Sequence, residues 1–277
     1  CGVPSRAPAR RPPAASWISQ ARVESFRPIK LLHHNMSDEQ EAVPAGHRGG
    51  PPLYGRMIKS ISSGHDRASR MRMLKLPLIF TEATLYAGAI AQFYWLSAAL
   101  EAQLRRHGEH PMVATVAALG LCVTHGYASD LKQLYGEEWL EIAAAARTPA
   151  TASYVAVLEA ADPVSLVAAA FILYGALVVG GGKATQAKVR RVLPGCDHRL
   201  FDVAQDMQAA RCHFKACFTA IGQRWPEHCE TLEREAAAYM ARNNAVVVSV
   251  RCWGRAACAA TALAGVVLAV ALYARRG

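Results

Sequence analysis

Apolar residues recur at helical spacing over most of the chain, and the strict alternation typical of half-buried strands is scarce. Alanine is abundant, which favours helices further. The pattern predicts amphipathic helices at residues 54–76, 91–104, 201–224 and 225–250. We therefore expect an all-α, multi-helical single domain over residues 54–250.

The most unusual pattern lies at residues 163–191, where an apolar helix passes through three consecutive glycines and continues as a basic amphipathic helix. Each glycine in a helix costs about 1 kcal/mol relative to alanine. Glycines at such a place allow a kink or a close approach of the backbone to a ligand. A flat, mostly apolar ligand lying against Gly180 and Gly181 is one interpretation. A plain break between two helices is the other.

One histidine falls on the apolar face of the first predicted helix. Ile58, Ile61, His65 and Ala68 are spaced at i, i+3, i+7 and i+10, so they share one side of the helix. A lone histidine in such a setting is usually a buried structural residue with its hydrogen bonds satisfied. The alternative is a neutral imidazole that binds heme iron through one ring nitrogen.

The last part of the sequence resembles a membrane segment. Residues 256–273 form an uninterrupted apolar run without charge, with arginines before and after it. Its length is at the lower end for crossing a hydrocarbon core of about 30 Å. We predict that residues 251–277 are a C-terminal membrane tail anchor, with the endoplasmic reticulum as the default membrane and the domain facing the cytosol. A buried C-terminal helix is the alternative, although it would usually carry a polar face.

The first part of the chain, residues 1–53, is rich in proline and basic residues and is predicted to be disordered. An Arg-rich, acid-poor leader can be an organellar transit peptide, but we favour the interpretation that the residues before Met36 are an untranslated region read through. The formal net charge is +10. The basic residues are mixed with acidic ones and have no aromatic residues between them, which argues against nucleic-acid binding. The eight cysteines show no CxxC pair and no zinc spacing, so we predict reduced thiols.

Several short motifs resemble those of heme oxygenases and follow the same order along the chain. They are H-x-R-A at residues 65–68, an aliphatic-acidic end at 99–101, D-L-x-x-x-Y-G-x-x-W at 130–139, and T-P-A at 148–150. The resemblance covers about residues 55–250. The apolar C-terminal run is similar to the tail of the microsomal, tail-anchored members of that family.

The resemblance implies a fold in which heme lies between two helices, and heme is both substrate and cofactor. Dioxygen and electrons from an NADPH-dependent reductase would convert it to biliverdin, carbon monoxide and ferrous iron. His65 would be the iron ligand, and the backbone of Gly180 and Gly181 would face the other side of the heme.

The resemblance also implies basic partners for the heme propionates. Lys215 matches the first residue of a basic pair in the family, whereas the second falls at Thr219, which carries no charge. Arg211 lies one helical turn before Lys215, and Lys59 precedes His65 on the first helix. We therefore expect Lys215, with Arg211 or Lys59, to bind the propionates. The alternative is a solvated, charged helix face that contacts no ligand.

The sequence departs from the family on the distal helix. There the family carries an aspartate that orders water for proton delivery, whereas this position falls at Leu177, and residues 163–196 contain no Asp or Glu. The predicted distal pocket is lined by Phe171, Tyr174, Leu177 and Val178. Tyr174 would supply its only hydroxyl. Three functions stay open: a heme oxygenase, a heme-binding or heme-sensing membrane protein without ring opening, and a helical scaffold without a cofactor.

Overall fold

The computed structural model describes residues 51–180 and 182–254, and within these ranges the chain folds into ten α-helices with no strand. The all-α prediction is therefore confirmed. The predictions for the first 50 residues, for Gly181 and for the tail at 256–273 lie outside the described residues. The helices are α1 Leu53–Ile79, α2 Ala83–Arg106, α3 Pro111–Ala117, α4 Thr124–Tyr135, α5 Trp139–Ala145, α6 Pro149–Glu159, α7 Pro163–Val178, α8 Gly182–Val192, α9 Met207–Arg224 and α10 Cys229–Ser249.

Helices α1 and α10 run side by side in the same direction. Near their first residues Arg56 pairs with Glu233 at 2.6 Å. Midway along, the Asn244 side chain donates a hydrogen bond to the carbonyl oxygen of Gly64 at 2.9 Å. A Cβ at residue 64 would collide with the side chain of Met240, so glycine is what lets the two helices approach this closely.

The ends of the same two helices are joined by Lys75. Its ammonium group donates hydrogen bonds to the carbonyl oxygens of Val247 at 3.1 Å and Val250 at 2.8 Å, and also to that of Val248. A positive charge at a helix C-terminus satisfies unpaired carbonyls and interacts favourably with the helix dipole. The pairing of α1 with α10 is thus fixed at both ends and in the middle.

Helix α7 forms the centre of the core. Its residues 166–174 are all buried, as expected for a helix that is apolar all round. Asp162 caps its first turn by accepting a hydrogen bond from the backbone N–H of Ser165 at 2.9 Å. The Ser165 hydroxyl in turn lies 2.8 Å from the hydroxyl of Tyr239 on α10. α7 therefore enters the core beside the middle of α10.

Two buried carboxylates hold loops in place. Glu101 on α2 accepts hydrogen bonds from the backbone N–H groups of residues 123–124 at 2.7 and 3.0 Å, which caps α4. Asp130 on α4 accepts from residues 199–200 at 2.7 and 2.9 Å. Because charged groups are costly to bury without such partners, both acids are structural. They stand at two of the motifs that carried the family resemblance.

Several helices begin or end at residues other than those predicted. The helix predicted at 201–224 begins only at Met207, because the Asp206 carboxylate accepts hydrogen bonds from the backbone N–H groups two and three residues later. The helix predicted at 225–250 begins at Cys229, after a 3-10 turn at Pro226–His228. The first helix extends three residues beyond the predicted end at residue 76.

Within residues 51–180 and 182–254, no single helix is long and apolar enough to cross a bilayer. Helices α7 and α8 meet that criterion only when taken together, with a bend of 53° between them.

Candidate functional site

The imidazole of His65 is exposed in the middle of α1, beside the buried Ile61 and Ala68. It makes no hydrogen bond to any residue in the described ranges. Partial burial lowers the pKa of His65, the positive charge of Arg72 lowers it further, and Asp66 acts in the opposite direction. The ring is therefore neutral at pH 7, and one nitrogen keeps a free lone pair. The expectation that His65 lies on the apolar face is right about its buried neighbours Ile61 and Ala68, whereas the His65 ring itself is exposed.

The side of α1 that carries His65 is covered at one end and open at the other. Tyr54, on the same side, contacts the rings of Phe171 at 5.9 Å and Phe214 at 6.5 Å between centroids. His65 lies about 16 Å further along the helix, at 1.5 Å per residue. Two turns beyond it, on the same side, the Met73 side chain is 51 % exposed. α1 thus presents an open stretch that joins an imidazole to an apolar side chain.

The glycine segment is a break between α7 and α8, which meet at 53°. The backbone N–H of Gly180 donates a hydrogen bond to the carbonyl oxygen of Gly175 at 2.9 Å, five residues earlier, so α7 ends in a turn one residue wider than an α-helical turn. A Cβ at residue 180 would clash with the carbonyl oxygen of Ala176, and one at Gly182 would press on that of Leu177. The turn itself therefore requires glycine at residue 180, whether or not a ligand is bound.

The last turn of α7 exposes a different face from the one predicted. Ala176 is exposed, and Val179 and Gly180 are half-exposed. Tyr174 is 2 % exposed and lies about 200° around the helix from Ala176. Burial raises the pKa of Tyr174, and the nearby Glu101 on α2 raises it further. The structure therefore places the predicted catalytic hydroxyl on the far side of the helix from the open face.

All four side chains predicted to line a distal pocket are buried in the core. Phe171 stacks against Phe214 at 5.9 Å and meets Phe218 edge-on at 4.9 Å, which packs α7 against α9. Leu177 is 8 % exposed. Because α7 is apolar on every side, its hydrophobic pattern carries no signal for which face is open.

The three basic candidates differ in what they contact. The Arg211 guanidinium donates a hydrogen bond to the carbonyl oxygen of Val178 at 3.1 Å, at the C-terminal end of α7. Lys59 and Lys215 are exposed, and neither side chain forms an ion pair or hydrogen bond within residues 51–180 and 182–254. The Thr219 hydroxyl bonds back to the carbonyl oxygen of Lys215 at 2.9 Å. The two lysines are thus available to an anionic ligand, and Arg211 holds the end of α7.

An acidic residue outside the sequence motifs fixes α8 after the glycine break. The Asp202 carboxylate accepts hydrogen bonds from Lys183 at 2.5 Å and Gln186 at 2.9 Å, and it lies 3.8 Å from Arg190. Burial opposes its ionisation, but these hydrogen bonds and positive charges hold the pKa of Asp202 below its usual value. Sequence reasoning missed this contact because Asp202 lies in a loop ten residues after α8 ends.

Metal binding by several side chains is not supported in the part of the chain that the structure describes. There, no group of three or more His, Cys, Asp or Glu residues could hold a metal ion. A single exposed imidazole beside an open apolar surface instead fits a metal that brings its own equatorial ligands, as the iron of a porphyrin does.

Comparison with known proteins supports this interpretation. The family described as Heme oxygenase matches residues 56–246 of the chain. The solved heme oxygenase 2 from Chlamydomonas reinhardtii, without heme, has a TM-score of 0.68 at 24% identity, covering 74% of this chain and 100% of that one. A search of curated protein sequences found no significant match.

Two cyanobacterial structures show the same fold. Heme oxygenase-2 from Synechocystis sp. PCC 6803, in complex with heme and NO, has a TM-score of 0.63 at 22% identity and covers 72% of this chain and 85% of that one. Heme oxygenase-1 from Synechocystis sp. PCC6803, in complex with heme, has a TM-score of 0.63 at 18% identity and covers 80% of this chain and 100% of that one.

Proposed function

Because the chain belongs to the heme oxygenase family, we propose that it binds heme and opens the porphyrin ring. The products would be biliverdin, carbon monoxide and ferrous iron, formed with dioxygen and electrons from an NADPH-dependent reductase. The observation that carries the proposal is the neutral, exposed imidazole of His65 on an open stretch of α1. The heme-bound Synechocystis structures of the same fold support it.

The residues present fit heme as a ligand. When bound, heme supplies both the redox-active iron and the ring that is oxidised. His65 would hold the iron through its free ring nitrogen, and Met73 would contact the apolar edge of the porphyrin. Lys59 and Lys215 would pair with the propionates, since both are exposed and have no partner in the described ranges.

The backbone at the end of α7 would form the opposite wall of the site. Gly180 and Ala176 present no bulk beyond a methyl group, so the helix can lie close to the porphyrin. Arg211 supports this wall by holding the carbonyl oxygen of Val178. Gly181, the second proposed backbone contact, belongs to the same segment of sequence.

Proton delivery is where the chain differs from what efficient ring opening requires. The open face of α7 offers Ala176, Val179 and Gly180, none of which has a protic side chain. Tyr174 faces the other way. Protons would therefore come from solvent water without an ordering side chain. Since a positioned acid or base is typically worth about 10²–10⁴-fold in rate, we propose slow turnover.

The alternative function is a heme-binding or heme-sensing protein that does not open the ring. The one observation that points to it is the absence of Asp and Glu from residues 163–196. In either case, we infer that residues 251–277 anchor the chain in a membrane, with the endoplasmic reticulum as the proposed site, on the strength of the apolar run at 256–273.

One experiment separates these functions. The full-length chain in detergent is titrated with hemin, and ascorbate or a reductase with NADPH is then added in the presence of catalase. A Soret band that forms and then decays as the red absorption of biliverdin rises supports the heme oxygenase. A Soret band that persists, or bleaches without biliverdin, supports the heme-binding protein. Absence of any Soret shift contradicts both.

A further inference from the structure

Exposed apolar side chains are concentrated at one end of the molecule. In the part of the chain that the structure describes, seven large hydrophobic side chains are exposed: Met73, Leu74, Leu140, Ile142, Val192, Val248 and Trp253. Met73 and Leu74 lie in the C-terminal part of α1, Val248 lies in the last turn of α10, and Trp253 follows α10 by four residues. We call these four residues the apolar end. Leu74 is the most exposed, at 70 %.

The contacts of Lys75 bring the two helix ends together. Its ammonium group binds the carbonyl oxygens of Val247, Val248 and Val250, so the last turns of α1 and α10 are fixed side by side. Leu74 directly precedes this lysine and Val248 is one of its partners. Their exposed side chains therefore lie on one connected surface.

The segment that follows α10 stays at the same end. The Arg251 guanidinium donates a hydrogen bond to the carbonyl oxygen of Trp253 at 3.0 Å. The next residue, Gly254, is buried against the carboxylate of Glu82 at the start of α2. The chain thus leaves the described structure beside the apolar end, and the uncharged apolar run begins two residues later, at residue 256.

The surroundings of the apolar end are basic. Arg70, Arg72 and Arg251 are exposed, and none of them pairs with a carboxylate within residues 51–180 and 182–254. Glu82, which lies against Gly254, is half-buried. Exposed apolar and indole side chains with arginines around them are the composition that favours the interface of an anionic bilayer.

We propose that the apolar end docks into the headgroup region of an anionic lipid surface, with Leu74, Val248 and Trp253 inserted at the interface. The inference goes beyond the proposed function, because it assigns an orientation to the folded domain rather than a reaction. Docking would bring the open stretch of α1 close to lipid, since His65 lies about 12 Å along the helix from Met73. An apolar substrate dissolved in the membrane would then have a short path to the site.

The test uses the full-length chain reconstituted into vesicles of phosphatidylcholine and phosphatidylserine. Hydroxyl-radical footprinting measures the oxidation of Met73 and Leu74, normalised to Leu140 and Ile142 on α5. The variant Val248→Glu/Trp253→Glu keeps both reporter residues and the apolar run. Val192→Glu, which changes an exposed apolar residue at the end of α8, is the matched control.

Docking predicts that Met73 and Leu74 are oxidised several-fold less in the wild type and in Val192→Glu than in the double variant, while all three chains float with the vesicles. Equal oxidation in all three floating chains would mean that the tail tethers a domain that does not dock, which overturns the proposal. A wild-type chain that does not float overturns it as well. Protection already present before vesicles are added would point instead to a second copy covering this surface. None of these outcomes depends on whether the chain opens heme.

Discussion

The two helices that would face the heme differ in the chemistry they expose. α1 offers His65 with a free ring nitrogen, an apolar Met73 and the unpaired Lys59. The last turn of α7 offers a methyl group, a half-exposed valine and a glycine backbone. The first surface can bind and orient a metalloporphyrin, and the second can only lie against it. Ligand binding and proton supply are therefore separate properties in this chain, and each can be changed alone.

The largest effect is expected from removing the proposed ligand. His65→Ala should abolish the histidine-ligated heme spectrum, because no other imidazole is proposed to reach the iron. Added imidazole should restore the spectrum, since the space left by the side chain admits it. Electronic absorption of the ferric complex measures both. His125→Ala, exposed on α4, should leave the spectrum unchanged. An unaltered spectrum in His65→Ala removes the assignment.

The next effect concerns the α7 surface. Ala176→Asp should raise the rate of biliverdin formation by about 10²–10⁴-fold, because it places a carboxylate on the open face, where it can order water. Single-turnover kinetics with ascorbate measure the rate. An unchanged rate would show that protons already arrive by another route.

The neighbouring position provides the control for that prediction. The match to the family's distal-helix motif places the aspartate position at Leu177, but the Leu177 side chain is buried. Leu177→Asp should therefore lower the thermal midpoint without raising the rate, because an unpaired carboxylate in the core is costly. A higher rate of biliverdin formation in Leu177→Asp, with an unchanged thermal midpoint of unfolding, would show that residue 177 and not residue 176 is the functional position.

The different outcomes for the two helices show what a sequence pattern can and cannot predict. Periodicity predicted helices where α1, α2, α9 and α10 lie. The three glycines made a break after α7 one of two interpretations, because glycines and a change of polarity are local signals. The start predicted at residue 201 was wrong, because the Asp206 side chain caps α9 and the helix begins at Met207. The open face of Ala176 was not predictable, since an all-apolar helix has no pattern to orient it. The contact of Asp202 with α8 was not predictable either, because it depends on how the loop after α8 folds back in three dimensions.

A smaller effect is expected in the turn that joins α7 to α8. Gly180→Ala should destabilise the fold by about 1–3 kcal/mol, because its Cβ would clash with the backbone carbonyl of Ala176. Gly55→Ala is the matched control, since a Cβ there meets no atom within 4 Å and alanine favours the helix by about 0.5–1 kcal/mol. Chemical denaturation of the heme-free chains measures both changes. Equal stability of the two variants would contradict the steric account of the turn.

The pH dependence of heme ligation should move in a defined direction. The pKa of His65 lies below its usual value, so the neutral, iron-binding ring persists to lower pH than an ordinary histidine allows. Arg72→Gln removes one of the causes and should raise this pKa, so that ligation is lost at a higher pH on acidification. Titration of the Soret band gives the midpoint, and the His65 ring resonance of the heme-free chain gives the pKa directly. A midpoint that moves downward would contradict the role of the Arg72 charge.

The smallest effect is expected on hemin affinity when Lys215 is replaced. It tests whether this exposed lysine binds a heme propionate or is an ordinary solvated surface charge. Lys215→Ala should weaken hemin binding only a few-fold, because an exposed ion pair is worth about 0.2–1 kcal/mol. The decrease should shrink as salt is added, since screening weakens the same interaction in the wild type. Lys132→Ala is the control, because Lys132 is exposed on α4 and already pairs with Glu137 at 3.0 Å. Equal affinities of both variants across the salt range would make Lys215 a solvated surface charge and leave propionate binding to Lys59.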